Sequence, residues 1–263
     1  MAEPAVLRSE REGILELVLN RPEKLNALNQ ETLDTIRAAV EDLRLRDDLR
    51  VMLIRATGRY FSAGADLTAF NDNPSGKSGL KTRSWFRREM GGMQTLWQEM
   101  ELVEKPIVAA HQAMCVGGGL EMSLSCDFRL AAASAGYWFP EMKMAMVPAS
   151  GGISRLTRIC GLHWAKWMVL ANQKVDAQRA LTMGLVHEVY PDETFEEEVW
   201  AFCRLLASYP PEVTAIAKMS IEMAADLDSA NARQLERLVY SNLMSGDEQA
   251  AMRKQHHQNI LKS

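Results

Sequence analysis

Apolar and polar positions alternate along this chain in two rhythms, short apolar runs and longer amphipathic stretches. Residues 5–10 and 14–19 are strand-like runs on either side of Arg11-Glu12-Gly13, which predicts a hairpin with glycine at the turn. Asn20-Arg21-Pro22-Glu23-Lys24 ends the second run, because proline cannot donate to a strand ladder. Leu33, Ile36, Val40 and Leu43 then recur at helical spacing, with Asn29 placed to cap the helix. Further apolar runs at 51–56, 107–110, 128–132 and 186–189 read as strands. Residues 60–67 read as a small-residue loop after a turn at 57–59, and 71–81 as a mobile loop. One long helix is expected over 83–104, with Trp85, Phe86, Met90, Met93 and Trp97 more in keeping with core than with a binding site. Helices are also expected over 119–125, after Gly151-Gly152, over 162–171 and over 176–183. From 194 to 259 the pattern is helical, broken at Pro210-Pro211 and near Asp228 and Gly246. Strands and helices thus alternate over the first two-thirds and helices fill the rest, an α/β chain.

Composition narrows the class. The chain is 47% hydrophobic and 24% charged, as expected of a globular protein with a sizeable core. A net charge of −4 gives no global attraction to nucleic acid or an anionic membrane. No apolar run approaches the roughly 20 residues that cross a bilayer. Glu3, Glu10 and Glu12, with no apolar segment among them, do not fit a secretory or transit leader. Cys115, Cys126, Cys160 and Cys203 lack CxxC spacing and read as reduced core residues of a cytosolic protein. The histidines show no metal-ligand spacing.

The chemistry gathers between His111 and Gly152. Gly117-Gly118-Gly119 precedes Leu120-Glu121, and a second carboxylate follows in Trp138-Phe139-Pro140-Glu141. The glycines match neither a P-loop nor a dinucleotide fingerprint. By themselves they are a tight strand-to-helix turn; with a carboxylate beside them they suit binding of developing negative charge. Glu121 is either a solvated first-turn residue or, given Leu120, Met122 and Leu124, a buried carboxylate needing a partner or a raised pKa. Glu141, between Tyr137-Trp138-Phe139-Pro140 and Met142, Met144 and Met146, is either an exposed loop residue or an acid kept protonated by an apolar pocket.

Four motifs, taken in order, resemble the crotonase (enoyl-CoA hydratase/isomerase) superfamily. They are Asn20-Arg21-Pro22-Glu23-Lys24-Leu25-Asn26-Ala27-Leu28, Phe61-Ser62-Ala63-Gly64-Ala65-Asp66-Leu67, Gly117 through Asp127, and Phe139-Pro140-Glu141 through Gly151-Gly152 with Arg155-Leu156. Ala180 to Val186 is a weaker echo. The resemblance covers nearly the whole chain. It implies a spiral of ββα units over 1–195 with the active site, and a C-terminal helical region over 196–263 serving trimerisation and acyl-CoA cover. It implies a homotrimer or dimer of trimers in the cytoplasm, an acyl-CoA substrate, and no metal, nucleic-acid or membrane partner. Ala63 and Gly118 would form the oxyanion hole, and Lys24, Leu25, Ala63, Gly64, Ala65, Asp66, Leu67 and Gly117 would line the substrate and its CoA moiety. Glu121 would act as base on water and Glu141 as acid at the α-carbon, with no cofactor beyond the thioester substrate. Having both carboxylates favours hydration of an enoyl-CoA. An isomerase, a specialised aromatic or alicyclic acyl-CoA hydratase, and a non-catalytic or RNA-binding member are the alternatives. Two features depart from the family pattern: Met252-Arg253-Lys254-Gln255-His256-His257 stands where a basic pair is usual, and Tyr137-Trp138 is bulky.

Overall fold

The structure, a computed structural model, describes residues 3–67, 79–89, 91–244, 246 and 252–253, with backbone only at 85–89 and 91. Its contacts divide the chain into two compact units, Met1–Ala207 and Ser208–Ser263.

The first unit opens with the hairpin β1 (Val6–Arg11) and β2 (Ile14–Leu19). Glu12 and Gly13 between them have φ of 56° and 75°, the paired positive values of a tight hairpin turn. A 3-10 turn (Pro22–Lys24) leads to α1 (Gln30–Leu45), whose N-cap Asn29 accepts from the Thr32 amide at 3.0 Å. Its apolar stripe, Leu33, Ile36, Val40 and Leu43, is buried. Then come β3 (Val51–Ala56), β4 (Tyr60–Ser62), α2 (Gly79–Glu89) and α3 (Gly91–Leu102). Next are β5 (Ile107–His111), β6 (Met114–Val116), α4 (Gly118–Leu124), β7 (Phe128–Ala132) and β8 (Gly136–Trp138). A second 3-10 turn (Glu141–Met144) precedes α5 (Gly152–Val169). The unit finishes with β9 (Val175–Asp176), α6 (Ala177–Thr182), β10 (Glu188–Tyr190) and most of α7 (Phe195–Ser208).

The strands form two sheets with orders β1-β2-β3-β5-β7-β10 and β4-β6-β8-β9. After the antiparallel hairpin, β2, β3, β5, β7 and β10 run parallel. In the smaller sheet β4, β6 and β8 are parallel, and β9 closes it antiparallel. After the first hairpin, the successive strand pairs β3-β4, β5-β6 and β7-β8 each give their first strand to the large sheet and their second to the small one, a spiral of three turns. One irregularity lies in the small sheet: Tyr60 faces Met114 and Ser62 faces Cys115, so β4 carries an extra residue, a bulge at Phe61.

The two-sheet arrangement explains the burial. Leu17, Ile36, Met52, Ile54, Trp97 and Met100 lie in one core cluster with α1 and α3. Ile14, Val51, Leu53, Val108 and Leu130 point to the opposite face of the large sheet and are covered by Phe195, Val199 and Trp200 of α7. Strands buried on both faces are expected to read as continuous apolar runs, and β2 and β3 do.

Several expectations change. The small sheet went unforeseen: β4 was expected as loop, and β6, β8 and β9 were not expected at all, because strands of two or three residues leave no periodicity. The single helix expected over 83–104 is described as α2 and α3, beginning at Gly79, so the first turn of α2 replaces the end of the expected loop. Residues 71–78 of that loop, and the side chains of Trp85, Phe86 and Met90, lie outside the described residues, as do Lys254, His256 and His257. Met93 and Trp97 are core. The two helices expected after Gly151-Gly152 and over 162–171 are both present within α5, separated at Gly161, whose φ of 77° and ψ of 165° are not helical. The four cysteines are free and buried.

The second unit contains α8 (Pro211–Ala224) and α9 (Ser229–Met244), which pack on each other. Pro211 starts α8 at a position where its missing N–H has no helical partner. Neither helix has a fully buried residue. Ile221, Leu238 and Tyr240 are exposed.

Candidate active site

The site is built where the strands of the small sheet end. Two segments brace the first loop. Asn26, buried in a left-handed conformation, accepts from the Arg21 amide and donates to the carbonyls of Thr57 and Tyr60 at 2.7 and 2.8 Å. Its own carbonyl accepts from Ser62 Oγ at 2.8 Å, and that hydroxyl in turn accepts from the Gly64 amide at 3.1 Å. Leu28 N donates to Gly64 O and Asp66 N to Leu28 O, so segments 25–28 and 63–66 are zipped together.

This zipper corrects one expectation. The Ala63 N–H donates to Leu25 O at 2.9 Å and is not open to a substrate. The strand register points to Ala65 instead. Ser62 faces Cys115, and three residues on from each stand Ala65 and Gly118. The Ala65 N–H takes no part in the bridge to Leu28, whose two bonds use the Leu28 and Asp66 amides. A Cβ on Gly118 would lie 3.1 Å from Ala65 N, so the two amides are close neighbours. Gly118 begins α4, where the first amides have no acceptor within the helix.

Asp66 is also committed differently from expectation. Its carboxylate pairs with Arg21 at 3.0 Å, and the same guanidinium reaches Ala27 O at 2.7 Å. It thus ties the two segments together. Lys24 and Leu67 are exposed, and Leu25 is half-buried with φ of 52°.

Each of the three glycines has its own reason to be bare. Gly117 has φ of 52° and ψ of −127°, a conformation for glycine alone, and a Cβ there would lie 3.0 Å from Glu141 Oε1. Gly118 abuts Ala65, and a Cβ on Gly119 would lie 2.5 Å from that of Ser62. The run brings α4 onto β4 and leaves room for a carboxylate. Every residue of α4 is buried. Behind it, Ser123 Oγ meets His111 Nε2 at 2.8 Å, and Tyr137 Oη meets His111 Nδ1 at 3.0 Å. Burial, with Arg129 nearby, pushes the His111 pKa down to about 3, so this link between β5, α4 and β8 is neutral and structural. The bulky Tyr137 is therefore core.

The two carboxylates have opposite surroundings. Glu121 is buried, and its Oε1 accepts from the amides of Ser150 at 2.7 Å and Gly152 at 3.1 Å. Burial raises its pKa, opposed by those two amides and by the Arg155 charge. A Cβ on Gly152 would lie 2.8 Å from Glu121 Oε1, which accounts for glycine there. The cradle is itself held from α3. Arg155 makes a bidentate pair with Glu101, both contacts 2.6 Å, and donates to Ser150 O at 3.2 Å; Gln94 donates to Ala149 O.

Glu141 is 9% exposed, and its Oε2 is buried without a hydrogen-bond partner. Burial, helped by the Glu121 charge and offset by its own backbone amide, raises its pKa to about 7. Its turn is pinned from behind: Asn172 Nδ2 donates to Phe139 O at 2.6 Å, Trp138 Nε1 to Asn172 O at 3.2 Å, and Gly117 N to Trp138 O at 3.0 Å.

Glu121, Glu141, Gly117, Gly118, Gly64 and Ala65 thus come together, while Ala63 and Asp66 serve the scaffold. Sequence reasoning did not single out Arg21, Asn26, Ser62, Glu101, Ser150 or Arg155 for these tasks. Only Asn26 left a local signal, a turn-forming residue just after Pro22 that tolerates a left-handed backbone. No group of three or more potential metal ligands occurs among the described residues. No helix among them is long and apolar enough to cross a membrane.

This geometry has close relatives. The family model for Enoyl-CoA hydratase/isomerase matches residues 9–257. A short-chain-enoyl-CoA hydratase of Clostridium acetobutylicum is 31% identical over 86% of this chain and 85% of its own. A crotonyl-CoA hydratase of Syntrophomonas wolfei is 33% identical over 88% of this chain and 86% of its own. The crystal structure of an enoyl-CoA hydratase from Bacillus anthracis superposes with a TM-score of 0.88 at 26% identity, covering 97% of this chain and 96% of the other. From sequence, fold and the assembly of loops around two carboxylates alike, the chain belongs to the enoyl-CoA hydratase/isomerase family.

Proposed function

We propose that this enzyme is an enoyl-CoA hydratase, a hydro-lyase that adds water across the 2,3 double bond of an enoyl-CoA to give the 3-hydroxyacyl-CoA. The observation that carries this reading is the unequal carboxylate pair. Glu121 is held by two amides that favour its ionised form. Glu141 has an unpartnered buried oxygen and a pKa raised to about 7, so it retains a proton near neutrality. Water addition needs a base for the nucleophile and an acid for the α-carbon, and environment separates the two roles.

In the forward step Glu121 takes a proton from water as the water oxygen bonds to C3. The π electrons move toward C2 and on to the thioester oxygen, and Glu141 delivers its proton to C2. The amides of Ala65 and Gly118 receive the oxygen as it gains enolate charge, a stabilisation stronger in the transition state than in the bound substrate. Leu25 and Leu67 offer apolar contact, and Lys24 a charge, along the CoA moiety. The names of the two curated relatives favour a short acyl group. The exposed apolar faces of α8 and α9 fit a role in trimer formation and acyl-CoA cover, and a cytoplasmic location fits the free, buried cysteines.

Incubation with crotonyl-CoA and 2-hexenoyl-CoA in ¹⁸O-labelled water, with product identification, tests the assignment. Labelled 3-hydroxyacyl-CoA is expected. Double-bond migration without label uptake would make the chain an isomerase.

A further inference from the structure

The turn that carries Glu141 is held at its back by a residue that sequence reasoning passed over. Asn172 follows α5 and has φ of 53°, the left-handed conformation that commonly ends a helix and that glycine enters at least cost. Asparagine tolerates this backbone too, and unlike glycine it brings a side-chain donor. Its Nδ2 donates to Phe139 O at 2.6 Å, and its main-chain carbonyl accepts from Trp138 Nε1 at 3.2 Å. Asn172 Oδ1 is buried without a hydrogen-bond partner, so the side chain acts through Nδ2.

The small sheet explains why a side chain is needed here. β8 ends at Trp138, and β9 pairs with it only at Gly136–Asp176 and Tyr137–Val175. Extending that register would set Phe139 opposite Gln173, but β9 begins at Val175. Trp138 O finds its donor on the other side, in the Gly117 amide at 3.0 Å. Phe139 O lies past the ladder and receives the Asn172 side-chain amide in place of a backbone N–H. One residue, Pro140, separates this carbonyl from Glu141, and its ring restricts φ, here −78°. The hold on Phe139 therefore sets where the Glu141 turn begins. Beyond Glu141 the turn closes on itself, Met146 N donating to Glu141 O at 3.0 Å. Charge reaches the turn from Glu121 across the site, and from Lys143 and Lys174, whose ammonium nitrogens lie 4.7 and 4.6 Å from the Trp138 ring centroid. Replacing Asn172 by glycine alters none of these groups.

We propose that Asn172 is a positioning residue for hydration: its side-chain N–H, acting through Phe139 O and Pro140, holds Glu141 where its proton can be delivered to C2. The assignment rests on the hydratase reading above, with Glu141 as the acid. No bond to Asn172 forms or breaks during turnover.

The left-handed backbone makes the test clean. Asn172→Gly keeps that conformation at no steric cost and removes the donor. Asn172→Asp keeps the shape but sets a carboxylate oxygen against Phe139 O. For hydration of crotonyl-CoA, kcat falls about ten-fold in Asn172→Gly, the contribution of one such bond, and at least as far in Asn172→Asp. KM stays within about two-fold, since the amides that receive the thioester oxygen are not touched. Glu141, less firmly buried in Asn172→Gly, titrates below its present value of about 7, so the alkaline limb of kcat moves to lower pH. In a Glu141→Gln background, Asn172→Gly lowers the residual kcat by no more than about two-fold, because the side chain it positions no longer carries the proton. A purely architectural Asn172 gives another pattern, a lower melting temperature with kcat per folded molecule and the alkaline limb unchanged. That pattern overturns the assignment. So does full turnover in Asn172→Asp, an unmoved limb in a slowed Asn172→Gly, a ten-fold loss that persists beside Glu141→Gln, or failure of both variants to fold. A wild type that hydrates neither crotonyl-CoA nor 2-hexenoyl-CoA overturns the hydratase reading, and this assignment falls with it.

Discussion

The two sheets of the first unit divide the work between them. The six-stranded sheet has strands of three to six residues, mostly buried on both faces, and supplies most of the packing. The four-stranded sheet has strands of two or three residues, yet the loops at the ends of its first three bring Ala65, Gly118 and Glu141 together. Most of the packing belongs to the first and the candidate site to the second. A small sheet can hold a precise site because the hydrogen bonds around it are local and dense, as at Asn26 and Ser62.

That contrast can be broken by experiment. Glu121→Gln, at the end of the small sheet, should lower kcat for enoyl-CoA hydration roughly 1000-fold, within the range for a general base. Melting temperature should change little, because the amide oxygen can still accept from Ser150 and Gly152. Gly117→Ala should lower kcat about 100-fold by forcing a left-handed alanine against Glu141 and displacing the neighbouring Gly118 amide. Full turnover in this variant would separate the glycine run from catalysis. Leu53→Ala, deep in the large sheet, should instead cost about 2–5 kcal/mol in chemical denaturation while kcat per folded molecule is unchanged. A comparable loss of kcat would show the two sheets to be coupled.

The smallest effects concern pH. If Glu141 is the acid of the proposed mechanism, its pKa raised to about 7 means that kcat/KM should decline as pH rises through that value. On the acid side, the proposed base Glu121 would have to be ionised, and its raised pKa places that limb above the ordinary carboxylate value. The linkage sign for stability follows from the raised Glu141 value. Its favourable contribution is fully present below the unfolded carboxyl pKa and is lost as pH rises through about 7. Glu141→Gln should therefore melt a few degrees above the wild type at pH 9 and lose that advantage by pH 4, as thermal unfolding at the two values would report.

The division also explains what could be read from sequence. Strands β3 and β7 stood out at their observed boundaries because continuous apolar runs between turn signals are distinctive. Helix α1 was legible from its stripe and from Asn29. Nothing comparable marks Met114–Val116 or Gly136–Trp138, whose pairing depends on partners more than twenty residues away. The carboxylates and glycines were recognisable as a set. Their supports were not, since Arg155 reaches Glu101 across 54 positions and Asn26 reaches Tyr60 across 34. The exchange of Ala63 for Ala65 as the open amide has the same origin. Residue identity cannot reveal which of two nearby N–H groups a neighbouring segment takes, and here Leu25 takes the first.

The bulge at Phe61 works like the offset on a vernier scale. Parallel neighbours in a sheet are separated by about 4.8 Å, a spacing set by backbone hydrogen bonds that no side chain can tune. What can be tuned is which residue stands at a given graduation. With Tyr60 opposite Met114, an unbulged β4 would bring Gly64 level with Gly118; the one extra residue advances the scale so that Ala65 stands there instead. Deleting a single residue at this point would leave the sheet, the glycines and both glutamates in place, yet set Gly64 rather than Ala65 level with Gly118, the wrong amide for the proposed mechanism. The enzyme's calibration is thus held in a miscount of one between two strands of three residues each.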